Sequence, residues 1–261
     1  MILLQFESVN QKNSYGTLTS MQNMNFSKEL RCPNCKLKLS KKKDSLVCKK
    51  CKAVVLLSTD RSHYDKNTNL GEKIFDYPKI YNVKIKLLNF LNRLNIPIDP
   101  YINNQKILDI GCGSYQVRYN PDLAKSRVGL DPSVKALIHA RRLYPKSFYV
   151  VGSADKLPFA NKSFDVSLLL FTLHHLTDNQ WDKAINEAVR VTKKSIIIYD
   201  HISHNSSILR FLQKLYWKIF DGGHKYPLLN QWTKRLSKMN ISKRLRVGSL
   251  FNHICFYKID L

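Results

Sequence analysis

Long apolar runs are missing from this 261-residue chain, and no stretch nears the ~20 residues that a bilayer-spanning helix needs. Met1-Ile2-Leu3-Leu4 is too short for the apolar core of a secretory signal and has no basic residue before it, so a cytoplasmic protein is expected. Acid is also scarce: 19 Asp and Glu stand against 43 Lys and Arg, a net charge of +24. Glycine is sparing too, with nine residues, two of them separated by a single residue at Gly111 and Gly113. Of six cysteines, four fall in two close pairs near the N-terminus. What remains is 44% hydrophobic, enough for a real core.

The positive charge is unevenly spread. Residues 1–100 hold 18 basic and 8 acidic groups, residues 101–205 hold 14 and 9, and residues 206–261 hold 11 and 2. The two flanks therefore carry most of the field. Such a field favours RNA or an anionic membrane surface as partner, with lysine-rich composition and no polyanion as the alternative.

The chain is organised around Ile107 to Tyr115, ILDIGCGSY, in which a short apolar run ends in Asp109 and passes into a glycine-spaced turn. That pattern predicts a buried parallel strand handing over to a helix. Val128-Gly129-Leu130-Asp131 is a second such run, closed by an acid 22 residues after Asp109, where a ribose-binding carboxylate belongs in a doubly wound sheet. Phe148 to Gly152, Phe164 to Leu170 and Ser195 to Asp200 supply three more runs. Helical patterns separate most of them, which predicts an α/β, doubly wound, mostly parallel sheet. Asp131 before Pro132-Ser133 could instead start a helix, Asp155 could be a turn residue, and Asp165 reads as structural.

In order, ILDIGCG, VGLD and GSADKLPFANKSFDVSLLLFTLHHL resemble the class I S-adenosylmethionine-dependent methyltransferases of the type 11 kind, over about Asn104 to His201. The resemblance implies a seven-stranded, Rossmann-like sheet closed by an antiparallel strand, and S-adenosylmethionine as cofactor. It puts Asp109, Gly111 and Gly113 around the methionine moiety, Asp131 on the ribose hydroxyls, Asp155 with Ala154 at the adenine, and Phe171 beside the cofactor. Tyr115 departs from the pattern, standing where the family usually has a third glycine.

Cys32-Pro33-Asn34-Cys35 and Cys48-Lys49-Lys50-Cys51 are two CxxC knuckles twelve residues apart. Four thiolates at this spacing match a structural, tetrahedral Zn2+ site, and the intervening KLKLSKKKDSLV reads as a hairpin carrying one knuckle back to the other. In a cytosolic protein disulfides are the lesser alternative. Cys112 and Cys255 are expected to be free thiols. The expected organisation is a tail over 1–29, a zinc-ribbon-like module over 30–60, a linker over 61–77, and the methyltransferase domain over 78–261 with a helical insert at about 206–239.

Within that domain a helix is expected from Pro78 through Leu94, ended by Pro97 and Pro100. Others are expected over Val134 to Leu143, from Asp178 as cap, and over Leu228 to Met239, with Trp181 in the core. His175, in the His174-His175 doublet, and His201, after Asp200, are candidate general bases at strand ends. Hydrogen-bonded structural histidines are the alternative. Ile208 to Phe220 is the most apolar helix, with Arg210, Lys214 and Lys218 at four-residue steps: a lid over the acceptor, a membrane-surface helix or core. The sequence therefore favours methyl transfer to a small-molecule or lipid-like acceptor. Methylation of an rRNA base (guanine-N1-like) and a non-catalytic scaffold are the alternatives.

Overall fold

The computed structural model describes residues 30–32, 34–42, 45–50, 54–56, 98–114, 119–220, 223, 225–248 and 253–261. The expected tail and linker, the helix from Pro78, Tyr115 and Cys51 lie outside the described residues.

A seven-stranded sheet organises the chain. Its strands are β4 (Lys106–Ile110), β5 (Ser126–Asp131), β6 (Phe148–Val151), β7 (Phe164–Leu170), β8 (Thr192–Ile202), β9 (Asn240–Gly248) and β10 (His253–Asp260), in the order β6-β5-β4-β7-β8-β10-β9. The first five are parallel, and β10 runs antiparallel to both β8 and β9. Continuous apolar runs such as KILDI and SLLL follow from this arrangement, because a parallel strand is buried on both faces. The strand order reverses beside β4, so the carboxyl ends of β4, β5 and β7 open into the crevice where ligands bind in such sheets.

One face of the sheet packs against α3 (Asp178–Val191) and α5 (Leu229–Arg235), with Trp181 and Trp232 edge to face at 4.5 Å. The other face packs against α1 (Asp99–Ile102) and α2 (Val134–Leu143) through Ile102, Leu137 and Ala140. In α3, Trp181, Ala184, Ile185, Ala188 and Val191 are buried at three- and four-residue steps, as one apolar stripe requires. The cap of α3 is Thr177 rather than the expected Asp178. The Thr177 hydroxyl accepts from Gln180 N, and the Gln180 side chain accepts from Thr177 N, closing a capping box. Asp178 in the first turn instead meets Lys225 and Arg235. Pro100 sits in the first turn of the short helix α1, where its missing N–H costs nothing. The expected Leu228–Met239 helix is shorter, because turns replace it after Arg235.

A buried ion pair ties β4 to β5. Arg127 donates to Asp109 Oδ2 at 2.9 Å and to the Tyr119 hydroxyl at 2.6 Å, and Tyr119 donates to the same carboxylate oxygen at 2.6 Å. Both charged side chains are almost fully buried. Removing one member leaves a charge with no water to take its place.

The N-terminal segment forms a small antiparallel sheet of β1 (Ser40–Lys42), β2 (Ser45–Val47) and β3 (Val54–Leu56). The first two make the hairpin expected between the knuckles. Leu30 is buried in the core of the large domain and bridges Phe159. Arg31 N donates to Pro158 O at 2.8 Å, and Lys36 Nζ meets Glu187 at 2.7 Å.

Arg127→Met should lower unfolding free energy by about 3–5 kcal/mol in urea titration, since it strands the Asp109 charge. Tyr119→Phe, which removes only a hydroxyl, should cost about 1 kcal/mol.

Candidate active site

The parallel register sets Asp109 beside Gly129 and Ile110 beside Leu130, so the loop after β4 lies against the end of β5. Gly111 N and Cys112 N both donate to Leu130 O, at 2.7 and 3.0 Å. Gly111 has φ 73° and Gly113 has φ 55°, in the left-handed region where a side chain is strained. A Cβ on Gly111 would strike the Thr172 side chain at 2.5 Å, so this glycine lets the loops after β4 and β7 interlock. A Cβ on Gly113 would meet nothing within 4 Å, so its backbone faces open space.

Asp131 closes the loop. Its Oδ2 accepts from Gly113 N and its Oδ1 from Ser133 N, each at 2.8 Å. Ser133 in turn caps α2 by accepting from Ala136 N. Burial pushes the Asp131 carboxyl up to about 6, with nearby Asp109 adding to the rise and the two N–H donors opposing it. Asp131 thus holds the cap of α2 in place without being the cap itself.

Asp109 sits beneath the loop with its Oδ2 engaged by Arg127 and Tyr119. Ala154 is buried and Asp155 half-buried just past β6, where the Ser153 hydroxyl donates to Asp155. Phe171 follows β7 with φ 55°, unusual for a bulky residue, and its ring lies 4.9 Å from Tyr199 and 4.8 Å from His201. Asp165, at the other end of β7, accepts from Lys106 N at 2.9 Å, as its structural reading requires.

The histidines are arranged differently from their order in the chain. Asp200 pairs not with adjacent His201 through its ring but with His174, whose Nδ1 lies 2.5 Å from Asp200 Oδ1 in a fully buried contact. Asp200 also accepts from Leu173 N at 2.8 Å and His201 N at 2.7 Å. Burial would raise its carboxyl, but the His174 ring, nearby His201 and the His201 N–H outweigh that and hold it below the usual range. His175 is half-buried with its ring 4.0 Å from that of His174. His201 packs 5.1 Å from Trp217 and 4.8 Å from Phe171.

A segment the sequence did not single out closes this cluster. Tyr226 stacks on Trp217 at 4.1 Å and lies 5.5 Å from His174. Lys225 N donates to His174 O, Ser203 N to Pro227 O, and the Ser203 hydroxyl to Tyr226 O. Gly223 lies so close to His174 and Tyr226 that a Cβ there would collide with both. From α4 (Ser207–Phe220), Trp217 and Gln213 are buried, whereas Phe211, Leu212, Leu215 and Tyr216 are exposed. The apolar residues of this helix are therefore not all turned toward the histidines, as a simple lid would have them.

Near the N-terminus, Cys32, Cys35 and Cys48 bring their Sγ atoms within 4.8 Å of one another, and Cys35 and Cys48 approach to 3.3 Å. Thiolates about 2.3 Å from one zinc sit about 3.8 Å apart, so this cluster fits a shared soft cation. Cys112 and Cys255 are free thiols, and burial raises both well above the ordinary range.

Residues 108–199 match the family described as Methyltransferase domain. An uncharacterized methyltransferase of Synechocystis is 38% identical over 100 residues, 38% of this chain and 46% of that protein. The demethylmenaquinone methyltransferase of Thermotoga maritima is 30% identical over 135 residues, 47% of this chain and 56% of that protein. The chain thus spans about half the length of the curated relatives it matches. Among solved structures, a SAM-dependent methyltransferase of Thermotoga maritima superposes with TM-score 0.56 at 18% identity, covering 72% of this chain and 99% of that one. Another from Methanosarcina mazei gives 0.52 at 18% identity, covering 64% and 99%. The chain has the Rossmann-like class I methyltransferase fold, and its central stretch is similar to methyltransferase domains in sequence.

Asp131 binds its proton more readily folded than unfolded, so it contributes stability that is full below about pH 4 and is lost as pH rises through about 6. The unfolding free energy of the protein relative to Asp131→Asn should therefore fall by about 2–3 kcal/mol between those limits, measured by urea titration across pH.

Proposed function

We propose that the chain is a methyltransferase that takes its methyl group from S-adenosylmethionine and passes it to a small-molecule or lipid-like acceptor. The observation that carries this reading is the Asp131 carboxylate, fixed at the end of β5 beside the open backbone of Gly113. A buried acceptor of hydrogen bonds next to a side-chain-free turn suits a ribose diol, and the loop glycines suit close backbone approach. Gly111 and Gly113 would line the methionine portion, Asp155 with Ala154 the adenine, and Phe171 the remaining wall. Asp109 would serve by holding the loop, through Arg127 and Tyr119.

The cofactor supplies an electrophilic methyl on a sulfonium sulfur. This chain's share is alignment of the acceptor and exclusion of water. His201 and His175 are the side chains proposed to take a proton where the acceptor must lose one. His174, clamped by Asp200, would position the turn that carries His175. Trp217, Tyr226 and Phe171 surround His201 with aromatic faces, which favours a compact apolar acceptor over a polyanion. The relatives named for demethylmenaquinone lend weight to a lipid-like acceptor.

We propose further that Cys32, Cys35 and Cys48 hold a structural Zn2+ together with Cys51. Leu30 and Arg31, just before this cluster, bridge to Phe159 and Pro158, a few residues beyond Asp155, and Lys36 shares Glu187 with Leu157 N and Arg190. Elemental analysis should find one zinc per chain, lost in Cys48→Ser, with a several-fold fall in cofactor affinity on metal removal. Metal-free protein with unaltered affinity would defeat the link.

Methyl-transfer assays on fractionated extract should find the acceptor among lipids or metabolites. Trp217→Phe should raise the acceptor KM several-fold while cofactor affinity stays within about twofold, since Trp217 lies outside the glycine and Asp131 loops. Methylation of protein-free rRNA, abolished by salt and indifferent to Trp217, would overturn the acceptor class.

A further inference from the structure

Between β6 and β7 the chain runs from Gly152 to Ser163 without helix or strand. Backbone polar groups buried in such a stretch need partners from elsewhere. Here α3 and the N-terminal segment supply them. From α3, Glu187 accepts from Leu157 N at 2.7 Å. Arg190 donates to Leu157 O at 3.0 Å, to Phe159 O at 2.7 Å and to the Asn161 side chain at 3.0 Å. From the N-terminal segment, Arg31 N donates to Pro158 O at 2.8 Å, and Leu30 bridges Phe159. The side chains of Leu157 and Phe159 are fully buried. The loop is thus pinned from two residues past Asp155 onward.

Glu187 is where the two sets of bonds meet. Its Oε2 accepts from Leu157 N, from Lys36 Nζ at 2.7 Å and from Arg190 Nη2 at 2.9 Å, and its Oε1 accepts from Arg190 Nε at 2.7 Å. Desolvation alone would push this carboxyl up, yet the bonds from Arg190 and Lys36 prevail and keep it low. Lys36 Nζ also donates to Leu157 O at 3.2 Å, so the ammonium grips the same residue that the carboxylate holds. The first cysteine knuckle puts Lys36 there. Lys36 N donates to Cys32 O at 2.8 Å and Cys32 N to Leu37 O at 2.9 Å, and Lys36 takes φ 58°, uncommon for a residue with a side chain. The turn that brings Cys32 and Cys35 together therefore also aims Lys36 at Glu187. An exposed ion pair would be worth little. Glu187 is only 14% exposed, and its bonds converge on one peptide of the loop.

We propose that Glu187 is a positioning residue for the adenine end of the cofactor site, and that Lys36 makes the N-terminal module a working part of the same clamp. This role rests on the methyltransferase reading, in which Ala154 and Asp155 meet the adenine. Glu187 itself touches no ligand. It acts through Leu157, whose fixed peptide sets the course of the chain back to Asp155. Metal at the cysteines would then matter to the cofactor by holding the knuckle turn, and with it Lys36, in place.

Lys36→Met removes the ammonium and leaves Glu187, Arg190 and their own bonds to the loop. In the ligand-free full chain, hydrogen exchange at the Leu157 amide should quicken several-fold while amides of β4 and β5 keep their protection. Calorimetric titration with S-adenosylhomocysteine should show affinity weakened several-fold. The same factor should appear with 5′-methylthioadenosine, which keeps the adenosine and lacks the amino-acid part. Lys36→Arg should restore most of both affinities, since a guanidinium can still meet the carboxylate. Glu187→Gln should weaken both ligands about tenfold or more, because its amide can accept from Leu157 N but draws neither cation. Equal affinity of Lys36→Met and the unmodified chain for both ligands would overturn the proposal. So would a loss confined to S-adenosylhomocysteine, a loss that Lys36→Arg fails to restore, or unaltered exchange at Leu157. An unmodified chain that binds neither ligand would overturn the methyltransferase reading and this role with it, even where exchange at Leu157 behaves as expected.

Discussion

The hydrogen bond from Gly113 N to the Asp131 carboxylate is the contact on which the rest of the site depends. It exists because β4 and β5 run parallel and in register, delivering a glycine turn and an acid to the same edge. The same carboxylate holds Ser133 N, and Ser133 caps α2, so one side chain fixes both the loop and the helix behind it. Burial makes this carboxylate costly to ionise, and the two N–H donors recover only part of the cost. A ligand offering further donors to it would recover more.

Beneath that contact the Asp109–Arg127 pair sets the spacing of the two strands, and Tyr119 and Tyr149 flank the guanidinium. Across the sheet the same logic recurs. Asp200 at the end of β8 is buried and is met by His174 and three backbone donors, which hold the turn after β7 in place. Two buried carboxylates at strand ends thus position the two halves of the crevice, one beside the glycine loop and one beneath the histidines. Segment 225–227 and Trp217 then cover the second half.

Strands were legible in the sequence because buried parallel strands are nearly unbroken apolar runs, as at Phe164–Leu170. Asp131 and the glycine turn were legible because spacing along a βα unit is fixed by geometry. The partner of Asp200 was not. His174 and His175 are adjacent, and which one faces inward depends on the short 3-10 turn over Leu173–His175, a conformation that apolar periodicity does not encode. A buried acid at a strand end was the available signal that one histidine of the doublet must be consumed. Tyr226 and Gly223 were invisible for a similar reason: they lie in irregular chain whose path is set by backbone bonds to Ser203 and His174. In α4 the sequence offered lid, core and surface as rivals, yet the helix is two-sided, with Trp217 inward and Phe211 outward.

The central claim, that the crevice beside Asp131 is the S-adenosylmethionine site, is tested most directly by titration calorimetry on the full chain. One site per chain is expected, with affinity strengthening as pH rises through about 6 and Asp131 ionises. Asp131→Ala should weaken binding by about 1.5–3 kcal/mol, the worth of a hydrogen bond to a charged group. Unchanged affinity in Asp131→Ala, or no binding by the unmodified chain, would contradict it.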